Sequence, residues 1–244
     1  MAVILADDAQ RRRQGKRVGY RVELGALDSD TLFFAGTPEF LILTASTLIH
    51  TANGNYRLGL GPSDGLRYDV YSFFESPESV ASDSATIPEA VRARYLQLPH
   101  IDPRIRALAY EMAEGPTSVR DRAKAIETRL QHDYGYTLEL PQRRVPDPLA
   151  YFLFTRKKGH CEYFASAMTV MLRSIGIPAR LVTGFQGGTF NPITGLYVIR
   201  ASDAHSWVEA YVPHRGWTSF DPTPPDPNAL RQSLYANTSR RAGS

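Results

Sequence analysis

The chain has 244 residues, 43% apolar, 22% charged and 11% aromatic, with 28 basic against 25 acidic side chains. This composition excludes collagen-like, coiled-coil and wholly disordered chains, and a net charge of +3 carries no nucleic-acid footprint. The length suits one large domain or two small ones, each with its own core. No apolar run approaches the roughly 18 to 20 residues that cross a bilayer. The start, MAVILADDAQRRRQGKR, has the wrong order and length for a secretory signal, so a soluble chain without signal or anchor is expected. A single cysteine, Cys161, excludes an internal disulfide framework and any zinc site with two or more thiolates. No residues have calcium- or zinc-ligand spacing, so neither a metal nor a cofactor is expected.

Residues 17–74 read as strands. Val18, Tyr20, Val22 and Leu24 alternate with Gly19, Arg21 and Glu23, the two-residue period of a half-buried strand. Asn53-Gly54, between Leu48-Ile49 and Tyr56, Leu58 and Leu60, is a two-residue hairpin signal, since both central positions accept positive φ. Tyr68, Val70 and Ser72 resume the alternation. The polar stretch 75–90, rich in Ser, Glu and Pro, reads as a connection.

The period then changes. Asp102-Pro103 caps and opens a helix carrying Ile105, Leu108 and Met112. Ser118 with Asp121 resembles a capping box, ahead of Val119, Ala123, Ile126 and Leu130 on one helical face. Asp147-Pro148 opens a short apolar helix, LAYFLF. The next helix runs from about Cys161 to Ser174, with Gly176 as its C-terminal cap and Pro178 as its stop. Four strands are predicted after it: 179–185, 196–201, 205–212 and 216–221. Helices followed by strands, without β-α-β alternation, predict an α+β domain with an antiparallel sheet.

Cys161 sits where Gly159-His160 hands over to a helix, so its sulfur lies near unpaired N–H groups and the positive dipole end, which favour the nucleophilic thiolate. A buried structural cysteine is the competing reading. A cysteine nucleophile needs a histidine base. His205 opens a strand that puts His205, Trp207, Glu209 and Tyr211 on one face and Val208, Ala210 and Val212 on the other. His160 is a poorer partner, because helical neighbours point about 100° apart. Asp221, at the end of GWTSFD, is the candidate to orient the imidazole, or else a turn cap within DPTPPDP. A four-residue loop would put Asp221 opposite Val208, on the wrong face; a three-residue loop or a bulge would bring it level with His205.

The runs GHCEYFASAMTVMLRSIGIPARLVTGFQGG and DAHSWVEAYVPHRGWTSFDPTP together resemble the bacterial transglutaminase-like family, in its TgpA-type, membrane-anchored branch. Four blocks match in order: Gly159-His160-Cys161 with Phe164-Ala165; Arg173 with Gly176 to Arg180; Asp203-Ala204-His205 with Trp207; and Gly216-Trp217 with Asp221-Pro222-Thr223. Upstream, LPHIDPRIRALAYEM, KAIETRLQHDYGYTL and LDSDTLFFAGTPEF also look like that branch, so the resemblance covers most of the chain.

The resemblance implies Cys161 as nucleophile, His205 as base and acid, and Asp221 as orienting carboxylate. The fold it implies is a transglutaminase-like core, related to papain-like cysteine proteases, in which a Cys-bearing helix packs on an antiparallel sheet. Residues 101–225 would form this catalytic domain, after a small β-rich region (1–75) and a linker (76–100), and before a tail (226–244). Papain-like enzymes place a Gln shortly before the Cys, whereas Thr155 to Lys158 contain none; Tyr136 is then a candidate second oxyanion donor or a packing residue. Trp207 could wall the acyl pocket or simply pack.

The implied activity is thiol acyl transfer from a peptidyl glutamine to an amine or water. A cysteine peptidase or amidase with the same triad is the first alternative, and a catalytically idle binding module the second. The implied partners are protein or peptide substrates with a Gln donor and an amine acceptor, without nucleic acid. The branch implies the outer face of the bacterial cytoplasmic membrane, with tethering through segments absent from this chain. Oligomeric state is left open.

Overall fold

A computed structural model describes residues 2–5, 15–25, 29–44, 47–51, 54–59, 65–75, 86–142 and 144–226. The basic run Arg11–Arg13, Asn53 of the hairpin signal, most of the polar stretch before residue 86 and the tail from residue 227 lie outside them. The chain divides into two compact units, Met1–Ala81 and Ser82–Ser244.

In the first unit, β1 (Ala2–Ile4), β2 (Gly15–Glu23), β3 (Thr37–Leu43) and β6 (Arg67–Glu75) form an antiparallel sheet in the order β1-β3-β6-β2. The expected alternation holds: Tyr68, Val70 and Ser72 of β6 are buried, and Val18, Tyr20 and Val22 of β2 face the same way. Leu24, Leu32, Leu41, Leu43 and Leu58 complete this core. A hairpin joins β4 (Leu48–His50) and β5 (Tyr56–Leu58). Its loop is longer than the two residues expected, because Thr51 N–H bonds Asn55 O at 2.8 Å and Gly54 N–H bonds Thr51 O at 2.9 Å. Gly54 takes φ +85°, the left-handed position that closes a three-residue hairpin loop.

The second unit begins inside the predicted linker, with helix α1 (Glu89–Tyr95). Its inner contact is Tyr95, whose ring meets Trp217 edge-on at 4.7 Å. No apolar periodicity announces α1, and none of its residues is fully buried. Helix α2 (Pro103–Met112) starts as expected, with the Asp102 carboxylate accepting Arg104 N–H and Ile105 and Met112 buried.

Helix α3 (Val119–Asp133) buries Ala123, Ile126, Glu127 and Leu130. Ser118 Oγ accepts Asp121 N–H at 3.0 Å, but the Asp121 carboxylate accepts from the same hydroxyl at 2.7 Å and so leaves the cap's own N–H, making half of the predicted box. Ser118→Ala is therefore expected to cost about 1 kcal/mol. Urea unfolding followed by tryptophan fluorescence measures this, since Trp207 and Trp217 both lie in the second unit; an unchanged midpoint would show the cap to be dispensable.

The apolar run after Asp147 is α4 (Pro148–Tyr151), which widens into a π turn over Phe152–Arg156 and stops at Lys157, φ +51°. A short parallel pairing follows, between β7 (Gly135–Tyr136) and β8 (Lys158–Gly159), too brief to leave a sequence signal. Helix α5 (Cys161–Ser174) occupies the predicted span and is the centre of the core, with Phe164, Ala165, Ala167, Met168, Met171 and Leu172 all at 0% exposure. A helix apolar on most sides must be covered on most sides. It ends in a Schellman motif: Ile177 N–H bonds Leu172 O at 2.9 Å, Gly176 N–H bonds Arg173 O at 3.1 Å, and Gly176 takes φ +84°.

Strands β9 (Ala179–Phe185), β12 (Ala204–Val212) and β13 (Gly216–Phe220) form an antiparallel sheet in the order β13-β12-β9. The predicted strand at 196–201 is shorter and lies elsewhere: β11 (Leu196–Val198) pairs with β10 (Thr189–Asn191) in a separate hairpin between β9 and β12. The buried Val208, Ala210 and Val212 of β12 join α5 in one cluster, while His205, Trp207, Glu209 and Tyr211 alternate with them, half-exposed, as expected.

Candidate active site

Chain geometry brings Cys161 and His205 to the same end of the sheet. Helix α5 has 14 residues, about 21 Å at 1.5 Å per residue, and β9 has 7, about 23 Å at 3.3 Å per residue. After the tight turn at Gly176, β9 runs back along α5, so its last residues return to the level of Cys161. Strand β12 pairs antiparallel with β9, placing His205 opposite Gly184 and Ala204 opposite Phe185.

At the helix start, His160 gives no side-chain cap, so the first N–H groups, those of Cys161 and Glu162, have no partner within the helix. These groups and the positive dipole end adjoin the half-buried sulfur. The His160 ring meets the Tyr163 ring edge-on at 5.0 Å. Tyr163 also packs onto Gly159, where a Cβ would come within 2.9 Å of its side chain.

Tyr136 lies directly across from Gly159 in the β7–β8 pairing, clamped by Gly135 N–H to Lys157 O and Thr137 N–H to Gly159 O, each 2.9 Å. Its hydroxyl is held above its ordinary pKa, first by burial and then by the neighbouring negative charge of a Cys161 thiolate. The fold thus places Tyr136 beside Cys161, twenty-five positions away in the sequence.

His205 Nε2 lies 2.8 Å from Asp221 Oδ2, which leaves Nδ1 as the imidazole nitrogen open to a reacting group. The register that produces this pair differs from expectation. The β12–β13 loop has three residues, with Val212 opposite Gly216 and Val208 opposite Phe220, so continuing the ladder puts Asp221 opposite Trp207 rather than His205. The three-residue loop corrects the face but leaves Asp221 two positions short, and the imidazole closes the gap diagonally. Diagonal neighbours about 7–8 Å apart are within reach of a long side chain. Among the described residues no hydrogen bond joins Cys161 to this pair.

Two features that sequence reasoning missed shape the surroundings, from α3 and from Arg180. Glu127 Oε1 accepts Asp221 N–H at 2.8 Å, and Gln131 Nε2 donates to Asp221 O at 2.6 Å, both from α3. The far half of the His205 face is occupied: Arg180 pairs with Glu209 at 2.6 Å, lies 4.3 Å over the Trp217 ring and meets Tyr95 of α1. Trp207 is parallel to the His205 ring at 6.5 Å and lies over Gly184.

A Cβ on Gly184 would stand 2.9 Å from the Trp207 ring. Gly184→Ala is therefore expected to push the indole off its place beside His205, shifting the tryptophan emission maximum and slowing any reaction at that imidazole. Unchanged emission would show that the ring has room to spare.

Residues 106–222 match the transglutaminase-like superfamily. A protein-glutamine gamma-glutamyltransferase of Pseudomonas aeruginosa is 41% identical over 160 residues, 65% of this chain and 23% of that protein. The crystal structure of the periplasmic domain of TgpA from Pseudomonas aeruginosa aligns with a TM-score of 0.71 at 31% identity, covering 86% of this chain and 71% of that one. The same domain bound to ethylmercury gives 0.70 at 32% identity, with 86% and 73% covered. The chain thus spans about a quarter of the length of that curated relative.

Proposed function

This chain belongs to the transglutaminase-like superfamily, and from that premise we propose that it is a thiol acyltransferase in which Cys161, His205 and Asp221 act as a triad. The observation that carries the reading is the His205–Asp221 pair, 2.8 Å apart, at the sheet end to which α5 presents Cys161 from its first turn.

In this reading Cys161 Sγ attacks the carboxamide carbon of a peptidyl glutamine. The developing oxyanion is met by the Cys161 N–H and the Tyr136 hydroxyl, while Trp207 walls the acyl group. The C–N bond breaks, ammonia leaves with a proton from His205, and a thioester remains on Cys161. An amine then attacks the thioester, His205 takes its proton, and the C–S bond breaks to leave an isopeptide. Asp221 holds Nε2–H and so keeps Nδ1 directed to the reacting atoms. Water in place of the amine gives glutamate, and a backbone amide in place of the side chain gives peptide cleavage. The same triad serves all three outcomes.

The natural substrates in this proposal are proteins or peptides offering Gln and an amine. The likeness to a periplasmic domain supports an extracytoplasmic location.

The test is mass spectrometry of a glutamine-containing peptide incubated with the protein and a primary amine, with Cys161→Ala as control. An amine adduct made by the unmutated protein alone is the expected result. Deamidation or cleavage without adduct would replace the reading by an amidase or a peptidase. An unchanged peptide, together with a Cys161 that alkylates no faster than a free thiol at pH 6, would replace it by an idle binding module.

A further inference from the structure

Resting on the triad reading, we infer that Glu127 and Gln131 are positioning residues that aim the His205–Asp221 pair by gripping the backbone of Asp221. The sheet does not hold that backbone. The β12–β13 ladder ends at the pair Val208 and Phe220, and Asp221 is the next residue, on its way into Pro222. Both of its peptide groups are instead taken by α3: its N–H donates to Glu127 Oε1 at 2.8 Å, and its C=O accepts from Gln131 Nε2 at 2.6 Å.

The two grips are one helical turn apart and oppositely polarised, as one residue's N–H and C=O require. With the backbone fixed at both ends, the carboxylate is fixed in turn. Oδ1 accepts Thr223 N–H at 3.1 Å, and Oδ2 is left to meet His205 Nε2 at 2.8 Å.

Glu127 is the charged exception on its buried helix face. It is only 5% exposed, on the face that also buries Ala123, Ile126 and Leu130. A carboxylate there is costly unless it is paired and bonded. Lys124 pairs with it one turn earlier, and the Asp221 N–H is its bond into the site. Errors of about 1 Å in a catalytic group can cost on the order of 100-fold in rate, so a grip on the orienting residue reaches the chemistry without touching substrate.

The test uses the single cysteine. Iodoacetamide labelling of Cys161 at pH 6 reads how well His205 supports the thiolate, independently of any substrate, and thermal melting is followed alongside. Glu127→Ala and Gln131→Glu are each expected to slow labelling at least tenfold. Gln131→Glu removes the donor and sets a carboxylate against a carbonyl. Glu127→Gln keeps an acceptor for the Asp221 N–H and is expected to restore labelling to within about threefold of the unmutated protein.

The half-exposed Gln131 keeps the test in hand if Glu127→Ala does not fold. Folded variants that label at the original rate overturn the inference, as does a Glu127→Gln protein as slow as Glu127→Ala. If the unmutated protein itself labels no faster than a free thiol, the triad reading fails first and this inference falls with it.

Discussion

His205→Ala is expected to slow acyl transfer by about 100- to 10,000-fold, the usual contribution of a positioned general acid–base group. Two proton transfers depend on this one imidazole: to the departing ammonia, and from the incoming amine. Neither His160 nor Tyr136 is placed to replace it. His160 is turned onto Tyr163, and Tyr136 is held protonated above its ordinary pKa by burial and by the Cys161 charge. The fold should survive, because His205 lies at the start of β12, half-buried, outside the cluster formed by Val208, Ala210 and α5. Single-turnover kinetics on a glutamine peptide, with a thermal melt as control, measure both halves of the expectation. A variant that melts normally and keeps its rate would remove His205 from the chemistry.

Phe164→Ala is expected to carry the largest stability effect, about 3–5 kcal/mol, through lost burial and the cavity left behind. Phe164 is fully buried one turn inside Cys161, and its ring meets Phe152 edge-on at 5.0 Å. Phe152 in turn packs against Tyr134 and Tyr163, which flank β7 and the first turn of α5. The void would open inside the first turn of α5, next to the Phe152 ring. Denaturant unfolding followed by tryptophan fluorescence reads this unit alone, since both tryptophans lie in it. A loss below 1 kcal/mol would mean that the aromatic cluster closes over the gap. The active-site geometry should suffer even in the folded variant, so thiol labelling of Cys161 should also slow.

Much of the fold is written locally. Helix α5 follows from Gly159-His160 before it, a continuous apolar face within it, and Gly176-Ile177-Pro178 after it. The two strands of the site follow from their two-residue alternation. These signals act within a turn or two of the chain, so they survive without tertiary context. For the same reason, α1 was hidden: Glu89–Tyr95 has no buried residue and is tied to the core by Tyr95 against Trp217 and Arg180. The one clue to Glu127 was a carboxylate on the stripe formed by Ala123, Ile126 and Leu130, where a polar residue is the informative exception.

The sequence alone thus determined the identity and order of the candidate catalytic residues and the elements that carry them: a cysteine opening a helix, a histidine opening a strand, an aspartate just beyond the next. The tertiary structure decided how they meet. Whether Asp221 falls on the face of His205 depends on the length of one turn, and continuing the ladder past Phe220 brings it level with Trp207 rather than His205, so the pair closes on a diagonal. The placing of Tyr136 beside Cys161, and of Glu127 and Gln131 on Asp221, depends on contacts 25 to 94 positions apart. Such contacts leave no periodicity to read, because they arise when separately formed elements pack against one another and bury the same core.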